Sequence, residues 1–171
     1  MILLRTALTA TVLVLAMPAV APAQPVEMNI MTGGPQGTYY RFGQDIAELG
    51  AGCGLSIGVQ QSAGSVENVF AVRDRPVTQF GIVQSDVLEY FRTYQDEDPA
   101  LGRAAQGLRI AFPLYDEEIH ILARRDIAEP GGLAGQRVAV GADGSGTALT
   151  ARLVLDLTET EPAETRTDLG T

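Results

Sequence analysis

Four short stretches of the sequence place small hydroxyl or amide side chains after a turn and before an apolar, helix-like run. These neutral hydrogen-bonding groups would suit a carboxylate that is held without covalent chemistry. Free backbone N–H groups and the helix dipole at a helix start favour the same kind of anion. The simpler alternative is that Ser65, Asp86 and Thr147 only cap their own helices, but four such turns together favour a binding cleft. The hydrogen-bonding residues are Thr38 and Tyr39, Ser62 and Ser65, Gln84 and Ser85, and Ser145 and Thr147.

The residue types argue against most catalytic chemistry. His120 is the only histidine and falls between isoleucines in a predicted strand, which does not support a Ser-His-Asp or Cys-His site. All 12 basic residues are arginine, so P-loop and lysine-dependent chemistry is excluded. The glycine turn at residues 33–37 lacks the dinucleotide-binding fingerprint. One cysteine and one histidine cannot complete a typical zinc site, and no carboxylates have calcium-loop spacing. We therefore expect no enzyme activity, no metal and no cofactor.

The N-terminus indicates an exported protein, and the charge excludes one class of partner. Residues 1–23 combine Arg5, an apolar run and Ala21-Pro22-Ala23, which predicts a secretory signal peptide cleaved before Gln24 and a periplasmic location. No later segment has the length and apolar character of a membrane span, so we expect no membrane insertion of the mature chain. The formal net charge of −9 argues against nucleic-acid binding. The single cysteine, Cys53, is expected to be buried.

Along the chain, the spacing of apolar residues alternates between the pattern of a strand and the pattern of a helix, and these elements must position the polar residues. Strand, turn and helix follow one another four times, which predicts an α/β fold with a parallel sheet and right-handed crossovers. In such sheets ligands bind outside the carboxyl ends of the strands. Asp86 and Glu89 have capping-box spacing at the start of the third helix. The predicted strands are 26–32, 55–59, 79–83, 108–113, 118–123 and 137–140, and the predicted helices start near 38, 65, 84 and 148. We expect loops at 95–107 and 131–136 and a frayed stretch at 158–171.

Five segments carry a family resemblance that runs from about Met28 to Leu157. They are "TGGPQGTYYRFGQDIAEL", "QQSAGSVENV", "FGIVQSDV", "LYDEEIHILARRD" and "GQRVAVGADGSGTALTA". In this order they resemble the TAXI family, the extracytoplasmic solute receptors of tripartite ATP-independent periplasmic (TRAP) transporters. Pro35-Gln36 and Ser62-Ala63 depart from the family pattern in the first and second loops. The resemblance implies a type II periplasmic-binding-protein fold, with two α/β lobes around a hinged cleft.

The same resemblance implies the ligand contacts and the partners. The implied ligand is a small anionic metabolite, an amino acid or a dicarboxylate such as glutamate, and the implied partners are the membrane subunits of a TRAP permease. A periplasmic sensing or interaction module, or a non-functional fragment of such a receptor, is the alternative. The implied ligand-binding residues are Gly37, Thr38, Tyr39, Ser65, Val66, Glu67, Gln84, Ser85, Asp86, Gly144, Ser145, Gly146 and Thr147.

The expected domain organisation places the signal peptide at 1–23, a first α/β lobe at 24–123 and the start of a second lobe at 124–171. In the type II fold the chain crosses to the second lobe, completes it and returns to the first. Only one βα unit follows the predicted crossing at Ala123 to Asp126. We therefore expect a parallel-sheet first lobe with an incomplete second lobe.

Overall fold

The computed structural model describes residues 27–168 as an α/β fold with two parallel sheets. The first sheet has the order β2-β1-β3 and consists of β1 (Glu27–Met31), β2 (Ser56–Gln60) and β3 (Thr78–Gly81). Helix α1 (Thr38–Gly52) joins β1 to β2, and α2 (Ser65–Asp74) joins β2 to β3. Both pairings are parallel, with Ile30 opposite Val59 on one side and Phe80 on the other. The predicted βα units and parallel sheet are confirmed.

The rest of the described chain forms three more helices and a second, smaller sheet. Helix α3 (Ser85–Thr93) follows β3, and α4 (Pro99–Ala105) packs against α2 and α3. A 3-10 turn at Pro130–Leu133 precedes β4 (Arg137–Ala139), α5 (Gly146–Leu157) and β5 (Glu164–Arg166). β4 and β5 pair in parallel.

Two small hydrophobic cores hold these layers together. Val69, Val87, Phe91 and Ala104 form the first core, between α2, α3 and α4. Leu133, Val140 and Leu155 form the second core, under α5. The first core joins one face of each of three helices, and the second joins Leu155 of α5 to Leu133 of the 3-10 turn and Val140 after β4. Leu49, near the end of α1, is 74% exposed.

The prediction of a loop over residues 95–107 is wrong, because α4 lies inside that range. Asp98 is the N-cap, and its side chain accepts a hydrogen bond from the backbone N–H of Ala100 at 2.8 Å. Pro99 occupies the first turn, where its missing N–H costs nothing. Ala104 is buried against the first core. Local capping and one buried contact are enough to make this short helix.

Residues 108–124, here called the connecting segment, are not strands, so the predictions of strands at 108–113 and 118–123 are wrong. Residues 109–123 make no backbone–backbone hydrogen bond within the described part of the chain. Their large apolar side chains are exposed, among them Ile110, Phe112 and Leu122, which is 95% exposed. A strand needs a neighbouring strand to take its N–H and C=O groups, and the described residues supply none here.

Three smaller expectations are also wrong. The stretch 158–171 contains β5, which pairs with β4, and Thr160 is buried just before it. His120 lies in the connecting segment rather than in a strand, and its exposed ring lies 3.3 Å from the Glu118 carboxylate. Cys53 is exposed at the end of α1. The signal peptide predicted at 1–23 lies outside the described residues.

Candidate functional site

The carboxyl ends of β1, β2 and β3 are tied together by one buried amide. Asn68, on the first turns of α2, is fully buried. Its Nδ2 donates to the carbonyl oxygens of Thr32 at 2.6 Å and Ile82 at 2.7 Å, and its Oδ1 accepts from the Ser62 hydroxyl at 2.6 Å. The strand ends and the turn before α2 are therefore fixed relative to one another. Sequence reasoning missed Asn68, although an amide one turn into a helix that follows a strand is a signal for such a clamp.

Three of the predicted ligand-binding side chains meet beside this clamp. The Ser65 hydroxyl, almost fully buried, accepts a hydrogen bond from the backbone N–H of Gln84 at 3.1 Å and lies 3.4 Å from the Gln84 Oε1. The Tyr39 hydroxyl lies 3.5 Å from the same Ser65 oxygen. Residues from α1, α2 and the start of α3 thus converge on one point at the sheet edge.

Ser65 does not cap its own helix. The N-cap of α2 is Gly64, and no side chain caps that helix. The expected caps at Asp86 and Thr147 are also wrong, because the N-caps of α3 and α5 are Gln84 and Ser145. Of α2, α3 and α5, only α5 has a side-chain N-cap, since the Ser145 hydroxyl accepts from the Ala148 N–H at 3.0 Å. The capping-box prediction for Asp86 and Glu89 fails for the same reason, since Asp86 lies inside the helix.

The turn at residues 141–147 packs directly on the starts of α2 and α3. The Glu67 N–H donates to the Gly144 carbonyl at 3.0 Å. Gly64 has φ 132°, which side-chain-bearing residues rarely adopt, and a Cβ there would lie 3.3 Å from the Ser145 Cα. A Cβ on Gly146 would overlap the Gln84 side-chain oxygen. Because Gly64 and Gly146 have no side chain, the 141–147 turn can contact the starts of α2 and α3. We call Tyr39, Ser62, Ser65, Asn68 and Gln84, with this turn, the carboxyl-edge cluster.

The remaining predicted site residues lie around the cluster in different roles. The Glu67 carboxylate accepts from the Ala63 N–H at 2.8 Å and pairs with Arg75 at 2.6 Å. Asp86 accepts hydrogen bonds from the Val87 N–H and from the Thr150 hydroxyl. Val66 packs against the first core. Gly37, Thr38, Ser85 and Thr147 mark the starts of α1, α3 and α5, the last three with exposed side chains.

Two residues that sequence reasoning did not single out complete the site. The Tyr39 hydroxyl donates to Glu117 Oε2 at 2.9 Å, and the Tyr115 hydroxyl lies 3.5 Å from Glu117 Oε1. The Tyr115 ring stacks on Phe42 of α1 with ring centroids 5.0 Å apart, which holds the connecting segment over the cluster. Their place in the quoted segment "LYDEEIHILARRD" was the available signal.

The two tyrosines keep their protons to unusually high pH. Burial, and then the negative charge of Glu117, raises the pKa of Tyr115 to about 12. Burial is also the main cause that raises the pKa of Tyr39 far above its usual value, although the hydrogen bond to Ser65 opposes it. Both hydroxyls are therefore neutral donors at physiological pH.

Two open surface depressions of the described residues lie away from the carboxyl-edge cluster. One of about 480 Å³ is lined by residues of α3 and α4 and of the segments that follow these helices, among them Arg92, Gln95 and Arg109. A second of about 170 Å³ lies between α2 and α4, beside Phe70 and Arg103. Within residues 27–168 no group of histidine, cysteine and carboxylate side chains could hold a metal ion. The cluster itself is closed by direct contacts between its own side chains.

In a parallel α/β sheet, ligands bind at the carboxyl edge where the helix starts converge, and the polar groups of the cluster lie at that edge. The model of the NMT1-like family matches residues 30–170. The chain belongs to the NMT1-like family, which is periplasmic-binding-protein-like and generally non-enzymatic. Its fold is accordingly periplasmic-binding-protein-like, and its kind of function is that of a solute-binding receptor, with a small molecule as the family's kind of ligand. Proteins of this family are usually exported. None of the helices within residues 27–168 has the length and apolar character needed to cross a bilayer.

Proposed function

We propose that the chain is a TAXI-type receptor that captures a small anionic metabolite, an amino acid or a dicarboxylate such as glutamate, for a TRAP-type secondary transporter. The observation that carries the proposal is the convergence of Tyr39, Ser65 and Gln84 at the carboxyl edge of the first sheet. These side chains come from three helix starts, and all three are neutral hydrogen-bonding groups. Neutral donors beside helix N-termini suit a carboxylate that must be bound and released without covalent chemistry.

The proposed division of labour follows the expected lobes. Residues 24–123 form the first α/β lobe, which supplies α1, α2 and α3, and 124–171 form the start of the second lobe, which supplies the 141–147 turn. The Glu67–Gly144 backbone hydrogen bond joins the two proposed lobes directly at the site. A ligand that opens this contact would exchange protein–protein hydrogen bonds for protein–ligand ones. The contact residues in this proposal remain the thirteen that the family resemblance implies.

The site is tested by Ser65→Ala, measured by calorimetry with L-glutamate and succinate as probes. Losing one hydrogen bond to a charged ligand costs about 1.5–3 kcal/mol, which is about a tenfold to hundredfold loss of affinity. The melting temperature is measured on the same preparation, because Ser65 also accepts a bond from the Gln84 N–H. If only the melting temperature falls, Ser65 is structural and the site is elsewhere.

Ser56→Ala is the matched control. Ser56 is an exposed hydroxyl at the opposite end of β2, away from the carboxyl edge. It should leave both the affinity and the melting temperature unchanged. Equal losses of affinity in both variants would show that the effect of Ser65→Ala is not local.

Transport and export need their own tests. Reconstituted TRAP permease subunits should take up the bound solute only when the receptor and an ion gradient are both present. Binding without any stimulation of uptake would favour the sensing or interaction alternative. N-terminal sequencing of the periplasmic protein should begin at Gln24, and an intact Met1 would contradict the predicted signal peptide.

A further inference from the structure

Glu117 is the charged side chain that faces the Tyr39–Ser65 part of the carboxyl-edge cluster from the connecting segment. Its Oε2 accepts the Tyr39 hydroxyl hydrogen at 2.9 Å, and Ser65 lies directly behind that hydroxyl. If the receptor bound only carboxylates through the Tyr39 hydroxyl, the negative charge of Glu117 beside that hydroxyl would not help binding. The presence of Glu117 therefore constrains what the ligand can be.

The charge on Glu117 has no basic partner among residues 27–168. The ion pairs among the described residues involve other carboxylates. Glu67, for example, pairs with Arg75, and Asp143 pairs with Arg152. The hydroxyl groups of Tyr39 and Tyr115, both neutral, are its hydrogen-bond partners. Two tyrosine donors leave acceptor capacity on the carboxylate, since an ionised carboxylate offers about four lone-pair sites.

Aromatic packing on α1 supports the segment that carries Glu117. Two residues before it, the Tyr115 ring stacks on Phe42 at 5.0 Å, so α1 supports both Tyr39 and the segment that carries Glu117. The raised pKa of Tyr115, to which the Glu117 charge contributes after burial, is consistent with a local negative potential at this point.

We propose that Glu117 is a specificity-determining residue that accepts the positively charged group of a zwitterionic ligand, while Ser65 and Gln84 face its carboxylate. This inference rests on the proposed function, because it assigns a second polar group within the same site. A ligand carboxylate placed beside the Glu117 carboxylate is repelled, because like charges repel. Exposure of the Glu117 side chain weakens this repulsion, but its sign still disfavours a ligand that brings only carboxylates. An ammonium group at the same place is attracted and hydrogen-bonded.

The test compares ligands that differ only in the amine. Calorimetry is done with L-glutamate against glutarate, and with L-leucine against 4-methylpentanoate. The parent chain should bind the amine-bearing member of a pair more tightly. Glu117→Gln keeps the shape and removes the charge, and it should weaken binding of that member by about tenfold to hundredfold. Binding of the amine-free member should be unchanged or tighter, so the ratio of the two affinities collapses.

Glu118→Gln is the matched control, because Glu118 is the next residue and its side chain is 81% exposed beside His120. It should leave the ratio of affinities unchanged. A merely structural role for Glu117 would weaken both members of a pair equally and overturn the inference. If Glu117→Gln tightens both members, Glu117 instead competes with the ligand carboxylate, which also overturns it.

The failure of the inference and the failure of the proposed function give different results. A parent chain that binds glutarate more tightly than L-glutamate overturns the role of Glu117 and leaves anion capture in place. A parent chain that binds neither member of either pair counts against the proposed function and, with it, against the inference.

Discussion

The carboxyl-edge cluster and the connecting segment contact each other, but they differ in how their polar and apolar groups are satisfied. In the cluster, Asn68 and Ser65 are buried and every buried side-chain polar atom of the described residues has a partner. In the connecting segment, the backbone of 109–123 makes no hydrogen bond to other backbone groups of the described chain, and Leu122 is 95% exposed. The Tyr39–Glu117 hydrogen bond joins the two regions. We therefore expect substitutions in the cluster to lower the free energy of unfolding. Substitutions in the connecting segment should matter mainly through the contact of Glu117 with the cluster.

The largest effect is expected from Asn68→Ala. This change leaves the buried carbonyl of Ile82 without a partner, while the Thr32 carbonyl keeps only the Ser62 hydroxyl at 3.0 Å. A buried group left unsatisfied costs about 1–3 kcal/mol and each other lost hydrogen bond about 0.5–1.5 kcal/mol, so we expect a loss of about 2–6 kcal/mol in the free energy of unfolding. Urea denaturation measures it. Asn29→Ala is the control, because Asn29 also bonds to a backbone carbonyl but at an exposed position, and it should cost less than about 1 kcal/mol.

Two leucines compare a core position with the connecting segment by means of the same substitution. Leu155 is 7% exposed in the second core and Leu122 is 95% exposed in the connecting segment. Leu155→Ala should destabilise by about 2–5 kcal/mol, because it removes buried methyl groups and leaves a cavity. Leu122→Ala should change the free energy of unfolding by less than about 0.5 kcal/mol. If both substitutions lower the melting temperature equally, Leu122 is covered in solution and the expected difference between the two positions is wrong.

Gly146→Ala tests how closely the 141–147 turn must approach the cluster. The added Cβ would overlap the end of the Gln84 side chain and lie 2.8 Å from the Ser65 hydroxyl. Overpacking of this kind costs about 1–3 kcal/mol, with Gln84 able to move part of the way. Gly131→Ala is the control, since a Cβ there meets nothing within 4 Å. If both variants melt at the parent temperature, the turn does not pack on the cluster as described.

The smallest effect concerns alkaline pH. Burial, followed by the Glu117 charge, raises the pKa of Tyr115 to about 12 in the folded chain, against about 10 for an unfolded tyrosine. The folded state therefore holds a proton that the unfolded state releases above pH of about 10, so this contribution to stability is present below that pH and is lost as the pH rises toward 12. Tyrosinate absorbance of Tyr115→Phe, subtracted from the parent, should show a late titration, and a difference curve centred on the ordinary tyrosine pKa would contradict it.

The sequence predicted the βα order and the parallel sheet, because apolar periodicity and glycine turns are local signals. It did not predict α4, whose cap at Asp98 lies in a polar stretch that resembles a loop. It missed Asn68, Tyr115 and Glu117 because their roles depend on distant partners, such as Ile82, 14 residues from Asn68, and Tyr39, 78 residues from Glu117. The contacts of the ligand itself stay a prediction.

What the sequence by itself determined is the alternation of strands and helices and the kinds of group at each helix start. Those properties follow from each residue's own side chain and its near neighbours. Only the tertiary structure decided which of these groups meet, that Ser65 bonds to the start of α3 rather than capping α2, and that Glu117 lies on Tyr39. Alternating apolar residues such as Ile119 and Ile121 specify a strand only when another strand lies beside them. Pairing of that kind is a property of the folded chain and not of the segment.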